Sequence, residues 1–68
     1  MKEDKQAICN ALCEALKLTK AFRGIERIDY NADSEKAIVV FDEYDRVEIN
    51  VAMDSGAAMI RDILRGLT

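Results

Sequence analysis

The sequence predicts a small α+β domain of order α-β-β-β-α, a three-stranded antiparallel meander with both helices packed on one face. Three observations carry this reading. Apolar residues recur at helical spacing up to Phe22, the period changes to two from Ile28, and helical spacing returns after Asp54. With 68 residues, half of them hydrophobic and 34% charged, the chain has room for a single globular domain, 1–68.

Ile8, Ala11, Leu12, Ala15, Leu16, Thr19 and Phe22 fall at three- and four-residue steps, one face of a first helix over residues 4–22. Asp4 suits its N-cap, with Glu3 favourable to the macrodipole. Lys17, Lys20 and Arg23 suit its C-terminal end, with Gly24 as a left-handed cap. Ile28, Tyr30 and Ala32 then alternate with Arg27, Asp29 and Asn31, a half-buried first strand over 25–32. After a turn at Asp33-Ser34-Glu35, residues 36–41 are apolar on both sides, which suits a central strand. Beyond Asp42-Glu43-Tyr44-Asp45, Val47, Ile49 and Val51 alternate with Glu48 and Asn50 as a third strand. Asp54 or Ser55 caps a second helix that turns Gly56, Ile60, Ile63, Leu64 and Leu67 inward, with Arg61, Asp62 and Arg65 outward.

A one-residue slip would exchange the faces of the central strand, so loop length decides what that strand exposes. A three-residue turn at 33–35 sets Ile38 opposite Tyr30, and a four-residue turn at 42–45 sets Val40 opposite Val47. Both place Ile38 and Val40 under the helices and leave Ala37, Val39 and Phe41 in line on the uncovered face. That stripe, with the acidic turn residues Asp42, Glu43 and Asp45, is the expected interaction surface. A domain this small buries little core, and many such domains gain stability from a partner subunit. Self-association as a homodimer is therefore expected, with Met59, Leu18 or the Cys9/Cys13 edge adding helix surface.

The charges are unevenly spread. Residues 26–54 hold nine acidic side chains against Arg27, Lys36 and Arg46, a net of −6, between ends of +2 and +1. Cys9 and Cys13, four apart on a helix, sit too far apart for an unstrained bridge, so free thiols and a reducing, cytoplasmic setting are expected. With no histidine, two cysteines fall short of a zinc site and are expected at the margin of the core. Asp29-x-Asn31-x-Asp33 begins like a calcium loop, but Ser34 and Val40 stand where that loop needs Gly and Glu, so turn chemistry is the better account. No metal or cofactor is expected. Near Met1-Lys2-Glu3-Asp4-Lys5 there is no secretory pattern, and no apolar run is long enough for a membrane span.

The element order resembles that of the double-stranded-RNA-binding domain, over the whole chain and at similar length. The motifs depart from it. Where that family clusters lysines at the start of its second helix, this chain reads Ser55-Gly56-Ala57-Ala58, with no basic residue before Arg61. Its Gly-Pro hairpin loop is replaced by Ala32-Asp33-Ser34-Glu35. Phosphate contacts supply most nucleic-acid affinity, so an acidic chain without them is expected to bind RNA poorly. A nucleic-acid-associated protein using Lys17, Lys20, Arg23, Arg61 and Arg65 is the alternative. An enzyme is not expected, because the chain has no histidine and no Gly-rich phosphate loop. The reading is a small protein–protein interaction or accessory module.

Overall fold

The computed structural model describes residues 4–42 and 44–67; Glu3 and Glu43, both assigned roles above, lie outside them. Element order is α1 (Lys5–Lys17), β1 (Arg27–Asn31), β2 (Lys36–Val40), β3 (Arg46–Asn50) and α2 (Gly56–Leu67), with the strands in the order β1-β2-β3 and antiparallel throughout. Asp4 caps α1, its side chain accepting from the Ala7 N–H at 3.0 Å. Ser55 caps α2 by accepting from the Ala58 N–H at 3.2 Å.

Helix α1 stops five residues short of Phe22. Thr19 Oγ1 donates to the Leu16 carbonyl at 2.7 Å and accepts from the Phe22 N–H at 3.3 Å, which draws the chain into turns over 18–24. A threonine hydroxyl competing for a backbone carbonyl favours such an ending. Gly24 has no positive φ, and the cap of α1 is Leu18, in the right-handed region. The buried stripe of α1 is Cys9, Cys13 and Leu16, with Ile8 and Leu12 beside it, while Ala11, Ala15 and Thr19 face solvent. The thiols expected at the margin of the core stand in its middle, as small, weakly polar side chains commonly do.

The central strand is turned over relative to expectation. Val39 pairs with Ile28 and Val47, and Ala37 with Tyr30 and Ile49, so Ala37 and Val39 face the helices and have no exposed surface. Both turns differ from the expected ones, and by the same amount. In the first, Asn31 Oδ1 accepts from the N–H groups of Asp33 and Ser34 (2.9 and 3.2 Å), and Glu35 takes a left-handed φ of 53°, so Ala32 belongs to a four-residue loop. In the second, Asp42 Oδ1 accepts from Tyr44 and Asp45, both at 2.8 Å, and Phe41 N–H donates to the Asp45 carbonyl at 2.8 Å. That bond closes the turn with Phe41 outside β2. Each loop is one residue longer than expected, and the two differences agree because each by itself exchanges the faces of β2.

Cys9, Cys13, Leu16, Ile25, Ile28, Ala37, Val39, Val51, Met59 and Ile63 form one buried cluster. Helices α1 and α2 contribute to it together with the inner residues of the sheet, so both lie on the same side. Met59, expected on a surface, is fully buried. Gly66 lets α2 approach β3 closely, since a Cβ there would stand 2.7 Å from Ile49 Cδ1. The face assignment has a direct test. Val39→Asp places a charge in the core and should leave no cooperative thermal transition by circular dichroism, whereas Ile38→Asp, on the other face, should stay folded.

Candidate interaction surface

The uncovered face of the sheet is built in three rows by the strand register: Arg27–Val40–Arg46, Asp29–Ile38–Glu48 and Asn31–Lys36–Asn50. Val40 is only 2% exposed, yet it stands outside the main cluster. Its cross-strand neighbours are two exposed arginines, Arg27 and Arg46. Around the half-buried Ile38 the charges pair locally. Arg27 Nε reaches Asp29 Oδ2 at 2.9 Å, and Lys36 Nζ reaches Glu48 Oε1 at 3.7 Å.

Of the residues expected to form the interaction surface, Ala37 and Val39 are core. Phe41 is half-buried and packs against the core cluster, Asp42 and Asp45 are exposed in the β2–β3 turn, and Glu43 lies outside the described residues. The Asp42 carboxylate is occupied in holding that turn. Ile38 and Val40 take the place of Val39 and Phe41 on the open face. Leu18, Tyr44 and Met53 are each at least 89% exposed, in three different connections. Stacking two open faces would therefore gain little. Ile38 of each copy is the residue of that face with apolar surface left to bury, and burying two whole side chains of that size is worth at most about 3–6 kcal/mol, against about 4–15 kcal/mol for association.

The two edges of the sheet are treated differently. On β1 the carbonyl of Ile28 and the N–H of Tyr30 point away from β2, and the Gln6 side chain meets both. Gln6 Oε1 accepts from Tyr30 N–H at 2.8 Å, and Nε2 donates to the Ile28 carbonyl at 3.1 Å. The same Nε2 donates to Asn10 Oδ1 at 2.9 Å, and Lys5 Nζ lies 5.5 Å from the centre of the Tyr30 ring. The carboxamide thus takes the position of a peptide group in a missing neighbour strand. On β3, alternation along the strand turns the backbone groups of Arg46, Glu48 and Asn50 outward. Among the described residues, no hydrogen bond meets them.

The chemistry of the remaining titratable groups is structural. Burial, with the nearby Asp29 charge, pushes the Cys9 thiol up to about 11, and burial also raises Cys13, so neither is a ready nucleophile or metal ligand at neutral pH. Cys13 borders a cavity of about 150 Å³ together with Asn10, Glu14, Lys17, Glu26, Arg27 and Ile28. That volume is below the roughly 300–1,000 Å³ of small-molecule sites. Among the described residues, no group of three or more Cys, Asp or Glu is placed to hold a metal ion, and no helix is long and apolar enough to cross a membrane. Asp54 and Asp62 form a carboxyl pair. Asp54 Oδ2 is buried with no hydrogen-bond partner among the described residues; sharing a proton with Asp62, then desolvation, raises Asp54, while the same interaction lowers Asp62, with Arg61 Nε 3.6 Å from it.

The chain matches no protein-family model, no curated protein and no solved structure.

Two predictions follow from these contacts. Gln6→Ala strands a part-buried donor and acceptor on β1, so it should cost about 1–3 kcal/mol and speed hydrogen exchange at the Tyr30 amide ahead of the β2 amides. Because Asp54 is raised in the folded state, its contribution is full in acid and is lost as pH climbs through the raised value. That of Asp62, which is lowered, is full above its unfolded value and is lost as pH falls through the lowered one. Asp54→Asn keeps a donor towards Asp62 without needing a proton. Melting curves should show it more stable than the parent near about pH 7, with the difference vanishing towards about pH 3.

Proposed function

We propose that this chain is a non-enzymatic protein–protein interaction module that self-associates, working in a reducing, cytoplasmic setting. The observation that carries the reading is the asymmetry of the sheet. One face is roofed by the helices and Gln6 caps two backbone groups of the β1 edge, while among the described residues no helix lies on the other face and no hydrogen bond meets the outward groups of β3. Evenly mixed charge around a narrow apolar centre suits a polar, weakly hydrophobic protein contact. Two buried, raised thiols and the absence of histidine support a role in binding rather than catalysis.

The basic side chains of the nucleic-acid alternative are partly engaged, Lys17 with Glu14 at 3.5 Å and Arg61 with Asp62. Sedimentation equilibrium over a wide concentration range, together with a gel-shift titration against salt, separates the two readings. The interaction module should exceed its 7.7 kDa monomer mass as concentration rises and should not retain RNA or DNA near about 0.15 M salt. A constant monomer mass with steeply salt-dependent nucleic-acid binding would favour the alternative instead.

A further inference from the structure

We infer that the open edge of β3 pairs antiparallel with β3 of a second copy, about a two-fold axis at Val47, so that Arg46 of each chain lies opposite Glu48 of the other. This rests on the reading of the chain as a self-associating module and names the surface that does it.

The backbone supplies the means. Arg46 and Glu48 turn their N–H and C=O groups outward, since Val47 and Ile49 are the β3 residues that face β2 with theirs. With Val47 on the axis, Arg46 and Glu48 of the two copies form hydrogen-bonded pairs, each exchanging both its N–H···O bonds. Val47, half-buried on the helix-covered side, then meets its own symmetry mate at the closer, non-hydrogen-bonded spacing.

The side chains select the register. Moving the axis to Glu48 sets Glu48 against Glu48, and moving pairing the other way sets Arg46 against Arg46. Of these registers, only the one centred on Val47 sets opposite charges directly across from one another, and it does so twice. It also suits the pairing already present, because Lys36 engages Glu48 through Oε1 at 3.7 Å and Arg46 has no carboxylate within ion-pair distance among the described residues. Protective edges usually carry lysines, prolines or bulges. This one carries an arginine and a glutamate two residues apart, which attract rather than repel a second copy in the register centred on Val47. It has no proline and no bulge. The opposite edge of the same sheet is the one the chain closes for itself, with Gln6.

The experiment is a charge-swap series followed by sedimentation equilibrium at low salt. Arg46→Glu and Glu48→Arg should each weaken the homodimer by about tenfold or more, since each places like charges opposite one another twice. Mixing the two variants should restore association as a heterodimer, and the double swap should restore the homodimer. Glu48→Pro removes an outward N–H that the fold does not use, so it should give a monomer with an unchanged far-ultraviolet spectrum. If the parent associates but the charge variants are indistinguishable from it, or the mixture fails to recover, the β3 pairing is wrong and the self-association reading stands. If the parent is monomeric at every concentration, both fall.

Discussion

The odd-numbered positions of the central strand face the helices, and the rest of the molecule follows from that parity. Ala37 and Val39 are small enough to let α1 and α2 come down on the sheet together, and they close a core that reaches from Cys9 on one helix to Ile63 on the other. Two carboxamide or carboxylate side chains enforce the parity from outside the core. Asn31 and Asp42 each bind two backbone N–H groups of the turn that follows them, which fixes where each strand resumes. A short polar side chain at the entry to a turn competes well for backbone donors, and here it decides which face of a strand is dry.

The same economy shows at the sheet margins. A three-stranded sheet has two edges, each with backbone groups that need partners. On one, a single glutamine supplies a donor and an acceptor at peptide spacing and is itself held by Asn10. Helix α1 is therefore bound to the sheet by directional bonds as well as by burial. Helix α2 meets β3 through the close approach that Gly66 permits, and among the described residues nothing hydrogen-bonds to the backbone edge beyond it.

The element order, the meander and the placement of both helices on one face are all legible in the sequence, because each rests on a long periodic signal: Ile28 and Tyr30, Val47 and Ile49, Ile60 through Leu67. The orientation of β2 is not, because residues 36–41 are apolar on both sides and carry no period of their own. What settles it is the length of two turns, and that depends on side-chain bonds by Asn31 and Asp42 and on a left-handed Glu35. An Asx residue before a loop is visible in the sequence, and giving each turn one more residue would have exchanged the faces. The end of α1 was hidden for a similar reason, since Thr19 fits the helical period while its hydroxyl ends the helix. The Gln6 clamp left no signal, because a glutamine on the first turn of a helix is ordinarily a solvated residue. The expected apolar line does not stand on the open face: Ala37 and Val39 are core, Val40 is buried, and only the half-buried Ile38 is left among the charges.

The position of Cys9 and Cys13 has a practical consequence. Cys9 has no exposed surface beneath α1, so a thiol reagent reaches it chiefly when that helix lifts away, whereas Cys13 borders the cavity beside Glu26 and Arg27. The alkylation rate of Cys9 under excess reagent then becomes a clock for the opening of the α1 layer, written into the chain without any label being added.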